Sequence, residues 1–147
     1  MPPARSDAQA VLAVNNGFYE AFEASDLAAM SVLWEHSERA FCTHPGWATL
    51  RGWPKVAASF VALFREPQPL QFILTEHKAV VGADLAWVGV DENILGDEGA
   101  TTVAAVNLFA RQADGSWRMV AHHASPVTAS AEADGESDGP GPEPPGA

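Results

Sequence analysis

Cysteine is almost missing from this chain of 147 residues: Cys42 stands alone. An internal disulfide is therefore excluded, and so is any zinc site built from several thiolates. Basic residues are scarce too, eight against 19 acids, for a formal net charge of −11. That balance argues against gripping nucleic acid by its phosphates and against docking on an anionic membrane. No apolar run approaches the roughly 18–20 residues that a spanning helix needs. The start, Met1-Pro2-Pro3-Ala4-Arg5-Ser6-Asp7, lacks the basic beginning and continuous apolar stretch of a secretion signal, so a cytoplasmic location is expected. Gly96-Asp97-Glu98-Gly99 places two acids where a phosphate-binding loop would need N–H groups. Neither Ser59 nor Ser125 sits in a nucleophile elbow.

What is present is enough apolar material for a core, 47% hydrophobic residues in a length that suits one domain. Composition breaks after Thr128. Residues 129–147 read ASAEADGESDGPGPEPPGA, with five acids, no base and no large apolar side chain. Such a stretch cannot bury enough surface to offset its ordering entropy. The expectation is a folded domain over 1–128 and a disordered acidic tail over 129–147.

Helix signals come first. Ser6-Asp7-Ala8-Gln9 has the reciprocal capping pattern, and Val11, Val14, Asn15, Phe18 and Phe22 recur at helical spacing to about Ala24. Ser25 or Asp26 can cap a second helix with Leu27, Met30, Leu33 and Trp34 on one face. Residues 39–44 read as a short extended piece, stopped by Pro45-Gly46. Gly52-Trp53-Pro54 opens a third helix whose stripe is Val56, Phe60, Leu63 and Phe64. Four strands follow, over 70–81, 85–95, 100–112 and 117–124, split by Gly- and Asp-rich turns, of which Asp114-Gly115 is the clearest hairpin signal. Helices followed by consecutive hairpins predict an α+β fold, with three N-terminal helices packed on one face of an antiparallel sheet. Strands this long in a domain this small predict strong curvature.

Several strings resemble the SnoaL-like domains of the nuclear-transport-factor-2-like superfamily. They are Phe18-Tyr19-Glu20-Ala21-Phe22 with Ser25-Asp26-Leu27, His44-Pro45-Gly46-Trp47, Gly52-Trp53, and Gly115-Ser116-Trp117-Arg118-Met119-Val120 running into His122-His123-Ala124-Ser125. The resemblance implies a cone-shaped α+β barrel with one deep, mostly apolar pocket, and a homodimer through the outer sheet face. It leaves function broad, because such folds carry isomerases, cyclases, dehydratases, hydrolases and assembly domains.

On this reading the occupant is a small, largely apolar organic molecule, with no cofactor and no metal. His44, before Pro45, stands where the ketosteroid-isomerase branch keeps its base, and imidazole titrates near neutrality. The isomerase tyrosine aligns with Phe18 rather than with Tyr19, so the usual donor to an enolate oxygen is expected to be missing. His122 and His123 point to opposite faces of the last strand. Strict alternation groups His123 with Trp117, Met119 and Ala121, which favours His123 as the second catalytic residue beside His44, with Asn107 as a polar group on an apolar strand. Asn15, Phe18, Tyr19, Trp34, Trp47, Trp53, Trp87 and His122 complete the expected pocket lining. Asp91-Glu92 and Asp97-Glu98 read as solvated carboxylates, and Cys42 as a small buried hydrophobe. If catalytic, the chain would transfer a proton, eliminate or hydrate next to a carbonyl. A cavity packed shut by Trp34, Trp87 and Phe109 would instead favour a non-catalytic binding or assembly module.

Overall fold

The computed structural model describes residues 5–128; the expected tail over 129–147 lies outside them. Helix α1 runs Asp7–Ala24, and its capping box is formed in both directions: Gln9 N donates to Ser6 Oγ (3.2 Å) and Ser6 N donates to Gln9 Oε1 (3.0 Å). Ser25 and Asp26 divide the work of the α1–α2 corner. Ser25 ends α1 in the left-handed region (φ 50°), and Asp26 caps α2 (Leu27–Leu33) by accepting from Ala29 N (3.0 Å). Strands β1 (Phe41–Thr43) and β2 (Leu50–Arg51) precede α3 (Trp53–Arg65), which carries Pro54 in its first turn, where the absent N–H leaves no bond unmade. The long strands β3 (Gln71–Val81), β4 (Leu85–Gly96), β5 (Gly99–Arg111) and β6 (Trp117–Pro126) then follow. Gly115 adopts φ 86° in the last hairpin, as its Asp-Gly pair predicts.

One six-stranded curved sheet results, in the order β2-β1-β6-β5-β4-β3. All its pairings are antiparallel except β1 beside β6, so the expected antiparallel sheet is found with one parallel seam. The two-residue β2 carries no signal of its own in the sequence. The three helices cover the concave face and bury Val11, Phe18, Met30, Trp34, Val56 and Phe60 against Val88, Phe109 and Met119. Truncating a ring such as Phe60 in this setting costs about 3–5 kcal/mol.

Two bulges bend the sheet. One lies in β3 between Thr75 and Lys78, where Glu76 takes φ 55°. The other lies between β5 and β6: Leu108 pairs Ala121 but Phe109 pairs Met119, leaving Val120 as the extra residue. An extra residue increases local twist, and it also reverses which face the next side chains meet. Trp117 and Met119 face the helices, and after Val120 so do His122 and Ala124, while Ala121 and His123 share the outer-face rows of Leu108 and Val106.

Candidate functional site

Side chains from α1, α3, β3, β4, β6 and the turn after β1 enclose a cavity of about 240 Å³. Its wall is mostly apolar: Phe18, Phe22, Pro45, Trp47, Leu63, Leu70, Phe72 and Ile94. Four polar side chains interrupt it, namely Tyr19, His44, Glu92 and His122. Each arrives by a local rule. Tyr19 follows Phe18 on the inner stripe of α1, and His44 directly follows β1, where Pro45 turns the chain. Glu92 continues the inward series Ala86, Val88, Val90 along β4, and His122 is carried inward by the bulge at Val120.

Behind the wall, fully buried Asn107 joins these groups. Its amide Nδ2 donates to Asn15 Oδ1 (2.8 Å) and to the Tyr19 hydroxyl (3.1 Å), and its Oδ1 meets His122 Nδ1 at 2.5 Å. Tyr19 in turn donates to Glu92 Oε2 at 2.5 Å. With both amide hydrogens spent, Asn107 Oδ1 can only accept, so His122 carries its proton on Nδ1 and keeps a lone pair on Nε2. His44 is fixed in a parallel way. Ser59 Oγ gives its proton to Val56 O (2.6 Å) and so accepts from His44 Nε2–H (2.9 Å), leaving the lone pair on Nδ1. The two imidazole rings lie 6.4 Å apart between centroids, and His44 stacks edge-on against Trp47 and Phe60.

Burial sets the charges. Glu92, 3% exposed, has its carboxyl raised to about 7 by desolvation, with the Tyr19 hydrogen bond pulling the other way. Desolvation lowers His44 to about 4. His122 falls to about 3, through desolvation first and then its histidine neighbours His44 and His123. Both rings are neutral at pH 7. Desolvation and the Glu92 charge push the Tyr19 hydroxyl and the Cys42 thiol upward, so neither ionises near neutrality. Cys42 itself is buried with Sγ 3.6 Å from His44 Nε2.

Of the expected site residues, Phe18, Tyr19, His44, Trp47 and His122 line the cavity. Asn15 and Asn107 stand one layer behind it. Four expected residues are corrected. His123 is exposed on the outer face, because the bulge at Val120 breaks the alternation that groups it with Trp117 and Met119. Trp87 is also on the outer face, 47% exposed, since it alternates with inward Ala86 and Val88. Trp34 is buried in the core against Phe18 and Phe60, and Trp53 packs on Trp34 and stacks on His36 at 4.3 Å, so neither lines the cavity. Tyr19, expected among the lining residues, brings a phenol to the cavity beside Phe18 rather than in its place.

The main omission is Glu92, which reads as solvated because Asp91 precedes it. The period of two in Ala86, Val88, Val90, Glu92, Ile94 is the signal that places it inside. Among the described residues no three His, Cys, Asp or Glu side chains converge as metal ligands. Nor is any described helix long and apolar enough to cross a membrane.

Helices closed over a curved sheet around one aromatic-walled cavity define the cone fold of the nuclear-transport-factor-2-like proteins. Residues 11–130 match the SnoaL-like domain, and the chain belongs to that family. A solved structure from Streptomyces avermitilis, assigned as a dehydratase of the NTF2-like family, is 34% identical, with 84% of this chain and 97% of that one covered and a TM-score of 0.76. Another, from Thiobacillus denitrificans and assigned as a calcium/calmodulin-dependent protein kinase type II association domain, is 33% identical, covering 87% and 100%, with a TM-score of 0.73. The F-box protein SKIP8 of Arabidopsis thaliana is 28% identical over 117 residues, which are 80% of this chain and 49% of that protein. The chain thus spans about half the length of that relative.

Proposed function

We propose that the chain holds a small, largely apolar organic molecule in the cavity and moves a proton at a carbon next to a carbonyl, with loss of water where a hydroxyl stands on the following carbon. One observation carries this reading: a buried carboxyl, Glu92, poised near 7 and facing an aromatic-walled cavity. Acid–base groups work best with a pKa near the working pH. As carboxylate, Glu92 takes the proton from the α-carbon. As the acid so formed, it returns that proton to the departing hydroxyl, which leaves as water while the carbon–carbon double bond forms. Nothing is oxidised or reduced.

Tyr19 holds the carboxylate in one orientation. Once Glu92 is neutral it accepts more weakly, and the Tyr19 O–H turns to the enolate oxygen, which has become the stronger acceptor. The lone pairs of neutral His122 and His44 receive a substrate hydroxyl. Asn107 touches no cavity space and acts as a positioning residue for Tyr19 and His122. A cavity of about 240 Å³ falls below the roughly 300–1,000 Å³ of drug-sized sites, which supports a compact substrate rather than a steroid.

The outer sheet face leaves Ile73, Val80, Leu85 and Trp87 exposed. These four support a homodimer through that face, and its apolar surface is also what an assembly module would use.

The chemical reading is tested with cyclohexanone in heavy water and with a β-hydroxy cyclohexanone, following α-deuteration by NMR and enone formation by ultraviolet absorbance. Both should proceed above buffer and fall about 10²-fold in Glu92→Gln. Rates with either probe no higher than those of Glu92→Gln would refute the proposal.

A further inference from the structure

From the donors and acceptors on the cavity wall we infer that the occupant is a small apolar molecule ending in a primary amine, bound as the ammonium. The inference rests on the cavity being the ligand site and names the polar end of what it holds. The wall is one-sided. At its polar end the N–H and O–H groups are already committed within the protein, Tyr19 to Glu92, His122 Nδ1 to Asn107 and His44 Nε2 to Ser59, and the one uncommitted donor among the lining residues described is the indole N–H of half-exposed Trp47. The other free groups are acceptors. Glu92 Oε1 and His122 Nε2 have no protein partner among the described residues, and His44 Nδ1 has only the weak thiol of Cys42 at 3.8 Å.

A ligand that brings acceptors alone leaves those lone pairs unmet while Glu92 is a carboxylate, with the Tyr19 O–H held on Glu92. A carboxylate or phosphate would meet the Glu92 charge with no Lys or Arg in the wall to balance it. A hydroxyl offers one donor to three acceptors. A primary ammonium offers three, and its charge is opposite to that of Glu92. The rings of Trp47, Phe22 and Phe72 supply the apolar remainder of the site. At long range, a net charge of −11 attracts cations and repels anions.

The affinity of such a ligand follows the charge of Glu92. The ionisable groups facing it are Tyr19 from α1, Cys42 from β1, His44 from the turn after it, and His122 from β6; its strand neighbours Leu74 and Val103 do not ionise. Tyr19 and Cys42 are shifted up, and both histidines are neutral well below pH 6, so Glu92 alone changes charge between about pH 6 and 8.

Three probes with one skeleton separate the possibilities: cyclohexylmethylamine, cyclohexylmethanol and cyclohexanecarboxylate, titrated calorimetrically into the full chain. At about pH 8 the amine should bind at least about tenfold tighter than the alcohol, with the carboxylate weakest. Lowering the pH to about 6 should weaken the amine about tenfold and leave the alcohol unchanged. Glu92→Gln should remove the amine's advantage and its pH dependence while the alcohol still binds; if that variant does not fold, the wild-type pH series decides the same point. Equal binding of amine and alcohol, a pH-independent amine, or preference for the carboxylate overturns the inference and leaves the cavity reading standing. Failure of all three to bind overturns both.

Discussion

Asn107 is the buried junction on which the site's geometry depends, and replacing it by leucine tests that directly. Three hydrogen bonds go: those to Asn15 Oδ1, to the Tyr19 hydroxyl and from His122 Nδ1. His122 is left with a buried unpaired N–H, and Asn15 and Tyr19 each lose a donor, at about 1–3 kcal/mol for a stranded buried group. Leucine returns about 1–2 kcal/mol of apolar burial. The net expectation is a loss of about 2–4 kcal/mol, read as a lower urea midpoint at unchanged slope. Asn15→Leu should cost less, because Asn15 Nδ2 is already a buried donor without a partner. It removes that orphan while stranding only one hydrogen of Asn107. Hence the double variant should cost no more than Asn107→Leu alone, a coupling of about 1–2 kcal/mol between the two sites. Additive losses, or an Asn107→Leu loss below about 1 kcal/mol, would show that the junction is not what holds these groups.

Further outcomes follow from the charges and faces. Between about pH 4.5 and 6.5 the unfolded chain protonates His44 and His122, which stay neutral when folded, whereas Glu92 is protonated only when folded. The unfolded state therefore binds one more proton from these three groups. Stability should rise with pH across that window by about 1.4 kcal/mol per unit and level off near 7; in Glu92→Gln the slope should double, and an unaltered slope by denaturation at several pH values would contradict the assignment. Tyr19→Phe removes the hydrogen bond that holds Glu92 down, so carbon-13 NMR should show the carboxyl titrating above about 7. Trp87→Asp places a charge on the exposed outer face, and sedimentation should report loss of the proposed dimer with little change in monomer stability; a wild-type monomer would refute the dimer, and a dimer that survives the substitution would move the interface elsewhere.

How far the sequence reveals this molecule depends on the range of the interactions involved. The helices are legible because their signals are local: the Ser6–Gln9 box, the Asp26 cap, Pro54 in a first turn. The four long strands and the Asp114-Gly115 turn are legible for the same reason. The site is less so, since its assembly rests on one residue that alternation cannot foresee. Val120 carries no mark of a bulge, being neither Gly nor polar, yet it moves His122 inward and His123 outward. Trp87 suggests a pocket residue by its size, although the alternation of its own strand places it outside. The residues that build the site share one property visible without any structure. Asn15 on the inner stripe of α1, Glu92 in the inward series of β4 and Asn107 in that of β5 each break an otherwise apolar face, and the fold joins all three through the Tyr19 hydroxyl into one hydrogen-bonded network, with Glu92 in the cavity wall and the two Asn behind it. A buried polar group is stable only with partners, so three such breaks in one small domain imply that they satisfy one another, and the place where they meet is the place to look for chemistry.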